Sequence, residues 1–547
     1  MKKIFLYCLP FCLLFASCSD LLDEESYSET GKGNYLNNAK EAETVLQGVY
    51  KNLANEYTYS YHLSLLFTIS TDIAQCEGSS TTSFREIPTN SHNASTSQIS
   101  RTWQQLYSAI YDANDFIETV SDRMDGWGSS DRELAAIYLG EARALRALFY
   151  FELVRWYGNV VLMTSTADSR KKDEDYEQSA AEDVYAYIEE DLKYAAEVLP
   201  WAVDDTKRTS NAYRFSKGAA LGLLAKVYCT WAGYPVRDES KWAEAEKVAR
   251  RVVESGKHRL ISDYETVWKN TCNGIWDAGE SLIEVSFYSP TGLDSDNTAG
   301  RIGKWNGVSA TTIDGERGRN AANWKVVYTF TRDWEAQNDP RMKLSIADYK
   351  YDHTLGSGPI TYFSTISSAN PSEDQKNRQR QLFTPGKWDT EKYVETSNYI
   401  VNNDKSNVNW YILRYSDVLL LFAEALNESG GSIVDAVDAV NAVRRRGFGD
   451  TKHDLSYGLS REDLREAIRK ERAYELCFEG HRKQDLIRWG IYYDRVMETA
   501  QELVNWYSNA NYAVARYIIK GRHELLPIPQ RDLDMMPKCK QNPGWGQ

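Results

Sequence analysis

Apolar residues recur at spacings of three and four along nine stretches of the chain: 39–53, 99–120, 134–157, 181–199, 215–231, 242–253, 413–426, 433–443 and 464–478. That period predicts amphipathic helices, each burying one face. Several are joined by short turns, most clearly KGAALGLLAKVYCTWAG followed by KWAEAEKVARRVVESG. In that pair the small residues Ala219, Ala220, Ala225, Ala243, Ala245 and Ala249 fall where two helices must approach closely, and Leu223, Tyr228 and Trp242 fill the grooves. From about 260 to 400 the helical period fades. Gly, Asn, Ser and Thr are common there, and one strand-like run, SLIEVSFY, spans 281–288. Trp276, Tyr288, Trp305, Trp324 and Trp334 stud this interval, which argues for ordered loops mounted on a helical scaffold, the usual place for a binding site.

The amino end follows a different pattern. Lys2 and Lys3 precede an apolar run from Ile4 to Phe15, closed by Ala16 and Ser17 ahead of Cys18. A basic start, a short apolar core and small residues at the cut describe a secretory signal, and the run is too short to remain as a span of about 20 residues. Phe15-Ala16-Ser17-Cys18 resembles a bacterial lipobox, which makes residues 1–17 the signal peptide and Cys18 the acylated first residue of the mature chain. Residues 18–33, polar, acidic and glycine-ended, read as a flexible tether.

Composition removes several classes of function. The formal net charge of the 547 residues is -14 and no dense Lys/Arg block occurs, so nucleic acid is not an expected partner. Of the 8 cysteines, five lie beyond Cys18, scattered and without a C-x-x-C pair, so neither a zinc site nor a disulfide framework is expected. The 7 histidines include no H-E-x-x-H, and no G-x-S-x-G elbow, phosphate-binding loop or dinucleotide turn is present. Asp294 and Asp296 begin like a calcium loop, but Thr298 and Ala299 break the pattern. No cofactor or metal is expected. Asp417 and Glu424 would lie on one helical face and could not flank a sugar from both sides, as a glycosidase requires. Glu471, Arg472, Glu475, Glu479, Arg482, Asp485 and Arg488 recur at spacings of three and four, which predicts a structural ion-pair network rather than a catalytic site.

Several long segments, in order, resemble the SusD/RagB family of outer-membrane nutrient-binding lipoproteins. They are CSDLLDEE at the tether, TWQQLYSAIYDANDFI at 102–117, GEARALRALFYFELVRWYG at 140–158, RFSKGAALGLLAKVY at 214–228, WYILRYSDVLLLFAEALNESG at 410–430, ERAYELCFEGHRKQDLIRWG at 471–490 and LLPIPQRDLDMMPKCKQNPGW at 525–545. The resemblance implies a mainly α fold with about four degenerate tetratricopeptide helix pairs and a loop-rich ligand-binding face with minor β structure. It implies one integrated unit in two regions, 34–260 and 261–547, the second carrying the binding loops and the last helix pair. It also implies a non-enzymatic protein anchored to the outer membrane by lipid and facing the cell exterior. Such a protein captures an oligosaccharide or polysaccharide and delivers it to a SusC-like TonB-dependent transporter; some relatives of this type take a peptide instead.

A sugar ring offers apolar C–H faces and a polar rim, so the candidates are aromatic and polar loop residues. Trp305 leads, flanked by glycines and Asn306 with no helical register. Trp276, Tyr288 and Trp324 follow, and Asp72, Arg85 and Asn93 are the candidates for the polar rim. Trp103, Trp156, Trp242, Trp410 and Trp489 lie in helical motifs and are expected to pack.

Overall fold

The computed structural model describes residues 35–289, 298–313, 315–356 and 358–546. Cys18, the tether and the Asp294–Asp296 pair lie outside the described residues.

Six helices build the first half: α1 (Ala39–Lys51), α2 (Ser97–Arg123), α3 (Ser129–Tyr157), α4 (Ala181–Val198), α5 (Lys217–Trp231) and α6 (Lys241–Val253). The Asn38 side chain caps α1 by accepting from the Glu41 amide at 3.0 Å, and Ala39, Ala42, Leu46 and Val49 form its buried stripe. Consecutive helices pack on one another from α2 through α6. Small residues permit the close approaches: a Cβ at Gly140 of α3 would stand 2.5 Å from Val198, and one at Gly222 of α5 would stand 2.9 Å from Leu413. α5 is buried around almost its whole circumference and forms the axis of the core.

The second half alternates short helices and strands: α7 (Tyr264–Cys272), α8 (Tyr328–Glu335), α9 (Met342–Ser345), α10 (Glu373–Arg380) and α11 (Thr390–Tyr393) among β2 (Ser281–Val285), β3 (Trp324–Val326), β4 (Ile346–Ala347), β5 (Tyr349–Tyr351), β6 (Pro359–Thr361), β7 (Thr384–Pro385) and β8 (Trp410–Arg414), while β1 (Ala74–Cys76) comes from the first half, between α1 and α2. The strands pair as four two-stranded antiparallel ribbons, β1 with β3, β2 with β8, β4 with β7 and β5 with β6. Helices then return as α12 (Tyr415–Ser429), α13 (Ile433–Phe448), α14 (Arg461–Glu475), α15 (Arg482–Arg488), α16 (Tyr492–Trp506) and α17 (Gln530–Met535). α12 and α13 each end on a glycine in the left-handed region, Gly430 and Gly449, the usual helix stop. The segment after α16 folds back on the first half: the Leu526 amide donates to the Trp156 carbonyl at 2.7 Å, and the Asn542 side chain donates to the carbonyls of Tyr157 and Leu526.

All nine periodic stretches are helical, and the chain is mainly α. The boundary at 413 differs. Leu413 and Arg414 belong to strand β8, where Leu413 pairs with Ile283, and the helix starts at Tyr415. The charged run of 471–488 is structural: within it Asp485 takes Arg488, three residues on, at 2.9 Å and Arg472 at 2.9 Å, and its remaining partners are on other elements. Arg414, with a fully buried side chain, donates to Glu280 at 2.7 Å, Glu475 at 3.0 Å and Glu479 at 2.7 Å. Arg341 holds Glu471 and Glu475, and Lys387 holds Glu479. Asp417 takes Arg472 at 2.8 Å and Lys226 at 3.1 Å, and Glu424 takes Arg488 at 2.6 Å. The five described cysteines, Cys76, Cys229, Cys272, Cys477 and Cys539, are free thiols.

Candidate functional site

Two loops meet against the last turn of α1. One precedes α5 and carries Tyr213, whose φ of +61° turns its ring out of the chain path; its hydroxyl donates to the Gly274 carbonyl. The other leaves β2, buries Phe287 and presents Tyr288 with 68% of its surface exposed. Between these loops and α1 opens a cleft of about 550 Å³, with Tyr213, Tyr288, Gln47 and Lys51 among its walls. Trp276, half-buried, stands beside it with its ring centroid 6.3 Å from that of Tyr213.

The base of the cleft is fixed by a buried polar network. Glu141 of α3 accepts from Arg214 at 2.8 and 2.9 Å and from the Tyr50 hydroxyl at 2.6 Å. Tyr50 in turn accepts from the Phe215 amide at 2.8 Å, so α1, α3 and the entry to α5 are tied at one point. Glu284 of β2 also lines the cleft. Its carboxyl accepts from the Asn409 amide at 2.8 Å and the Ser281 hydroxyl at 2.7 Å, and no cation among the described residues pairs with it. Burial therefore outweighs these neutral donors and pushes its pKa up to about 7.

The sequence candidates fall in separate places. Trp276 and Tyr288 come together at the cleft. Trp305, Trp324 and Arg85 gather at a second point. Trp305 is 9% exposed, its ring packed between Tyr61 at 5.1 Å and the edge-on Phe84 at 5.0 Å. The Trp324 amide donates to the Trp305 carbonyl at 3.1 Å, and Trp324 is buried in β3 opposite Cys76. Arg85 is half-buried over the Phe84 ring at 4.4 Å and donates to the Glu77 carbonyl at 2.8 Å. Protein atoms thus cover the two indoles expected as open platforms, because the β1–β3 ribbon and the Phe84 loop close over them.

Asp72 is also buried. Its oxygens accept from Arg482 at 2.9 and 2.7 Å and from Arg495 at 3.1 Å. Burial alone would raise its pKa, but the two guanidiniums hold the carboxyl below the usual range. Asn93 is exposed and, although only eight residues past Arg85, belongs to the turn that leads to α2, where its side chain accepts from the Ser95 backbone N–H at 2.8 Å. Tyr213 escaped the sequence reading. Its signal was the break in helical period at SNAYRFSKG, where a ring stands in a polar loop just ahead of a helix cap. Of the five tryptophans expected to pack, Trp103, Trp156 and Trp410 are buried, whereas Trp242 and Trp489 are half-buried and line a cavity. No group of three or more metal-ligating side chains occurs among the described residues, and no helix among them is long and apolar enough to cross a membrane.

Known proteins share both the sequence and the shape. A family model described as "SusD family" matches residues 294–545, and one described as "Starch-binding associating with outer membrane" matches 20–229. The SusD-like protein P2 of Formosa agariphila is 26% identical over 499 residues, 89% of this chain and 91% of its own length. A laminarin-binding SusD-like protein has the same fold, with a TM-score of 0.69 at 24% identity over 93% of this chain and all of its own. The crystal structure of a SusD homolog from Bacteroides thetaiotaomicron is 54% identical, covers 95% of this chain and all of its own, and superposes with a TM-score of 0.90. With helices, loop ribbons and sequence all matching over nearly its whole length, this chain belongs to the SusD family.

Proposed function

We propose that the protein is a cell-surface lipoprotein that binds an oligosaccharide or polysaccharide and passes it, chemically unchanged, to a SusC-like TonB-dependent transporter. The observation that carries the binding reading is the cleft of about 550 Å³ with Tyr213 and Tyr288 on its walls and polar side chains between them. Aromatic faces take the C–H faces of a sugar, and Gln47, Lys51 and Glu284 offer donors and acceptors for its hydroxyls. These rings favour a glycan over a peptide, which would look for a free strand edge or a row of charges. Relatives support the same class: one neighbour is described as laminarin-binding and another, from Bacteroides fluxus, as a surface glycan-binding protein. The membrane association rests on the family description and on the lipobox at Cys18. Acyl chains there would confine the protein to the membrane plane and raise its effective concentration over a transporter.

Titration of the purified protein against a polysaccharide panel tests the reading. Tyr288→Ala should weaken the best ligand at least tenfold with an unchanged melting temperature, since the ring is exposed. Unchanged affinity in that variant would remove the cleft as the site. New reducing ends released from any polysaccharide would overturn the non-enzymatic reading.

A further inference from the structure

A second cavity, of about 250 Å³, lies at the other end of α5, between the turn that follows this helix and the helices α12, α14 and α15. α5 has 15 residues, so the two sites are separated by roughly 22 Å of helix. Tyr234, Trp242 and Trp489, all half-buried, line the cavity. Its volume falls below the ~300–1,000 Å³ typical of drug-sized ligands and suits a single sugar unit.

The charges of the cavity are unevenly satisfied. Glu424 accepts both arms of the buried Arg488 at 2.6 and 2.7 Å and the Trp489 indole N–H at 2.7 Å. Glu428 is taken by Arg465 at 2.7 and 2.9 Å. Two guanidiniums keep donors to spare. Arg469 lies 5.0 Å over the Trp489 ring and gives one N–H to Glu466, while its buried Nε has no partner among the described residues. Arg237 is exposed, sits 5.3 Å over the Tyr234 ring, and makes no ion pair or side-chain hydrogen bond among the described residues. Its backbone is held at a φ of +61°, in the left-handed region that a side chain such as arginine seldom adopts. Four arginines and three glutamates line the cavity, an excess of cation on a chain whose net charge is -14.

We propose that this cavity is a second binding site that takes one anionic pyranose unit, a hexuronate or a sugar sulfate. The ring would lie against Trp242, and the anionic group would accept from Arg237 and from the outer N–H groups of the Arg469 guanidinium, which Trp489 backs. A guanidinium beside an indole supplies both halves of such a ligand, a planar donor fork for the anion and a flat face for the C–H bonds.

The full-length protein, titrated with single sugars and followed by calorimetry and indole fluorescence, decides the matter. Methyl glucuronoside or glucose 6-sulfate should bind, and whichever binds more tightly identifies the anion. Methyl glucoside should be at least tenfold weaker. Arg237→Ala and Trp242→Ala should each cost at least tenfold; Arg237 is exposed, so its variant should melt like the parent. Tyr288→Ala should change nothing, which separates this site from the cleft. Equal binding of methyl glucoside, undiminished binding in Arg237→Ala, binding of N-acetylglutamate as tight as that of the glucuronoside, or no response to either sugar anion would each overturn the proposal.

Discussion

Single residues in this protein divide by what surrounds their polar or aromatic face. Trp305 and Tyr288 both stand in irregular segments, yet one is enclosed by Tyr61 and Phe84 and the other is open to solvent. Truncating a buried tryptophan leaves a cavity, so Trp305→Ala should lose about 3–5 kcal/mol in a denaturant titration. Glu284 makes a different prediction. Its folded pKa is raised above its unfolded value, so the folded form holds a proton that the unfolded form has released between pH 4.5 and about 7. The stability it contributes is complete below pH 4.5 and declines as pH rises through 7. Glu284→Gln should therefore gain in melting temperature over the parent on going from pH 5 to pH 8; a constant difference across that range would show that the carboxyl is not held protonated. Neither role was legible in the sequence, because what decides them is the partner across the fold: Asn409 lies 125 residues from Glu284, and Trp305 lies 244 from Tyr61.

At the level of elements, much more could be read. The helices α1 to α6 and α12 to α14 followed from apolar spacing, since each is long enough for the period to repeat. α8 and α10 escaped because eight residues give barely two turns. β8 escaped because a fully buried strand, WYILR, runs straight into an apolar helix and has no alternation to mark the change. The ion-pair run was recognised as structural, but its partners Arg341, Lys387 and Arg414 come from distant segments that no local spacing reveals. Arg414 satisfies three carboxylates at once inside the core. Removing one partner from such a cluster leaves charge buried without compensation, and Arg414→Met should cost about 3–5 kcal/mol in thermal or urea unfolding.

For the whole molecule, the sequence spoke through order and spacing of its long motifs, and the match to SusD structures over nearly the full chain agrees with that order. Its ends were harder to connect to its function by shape alone, since Cys18 lies outside the described residues. If acyl chains at Cys18 hold the protein on the membrane, Cys18→Ser should shift it from the membrane fraction to the soluble fraction on cell fractionation, with its melting temperature unchanged. Retention of the variant in membranes would sink the anchor.

The return of residues 526–542 to the end of α3 has a consequence in time. The carbonyls of Trp156 and Tyr157 wait for partners made some 370 to 385 residues later, and β2 waits for β8 across more than a hundred. Such distant closures form slowly and late. If the chain is exported as its amino end predicts, this is an advantage: a nascent polypeptide unable to finish its interior would stay loose enough to be threaded through a narrow secretion channel and would lock into shape only after release on the far side.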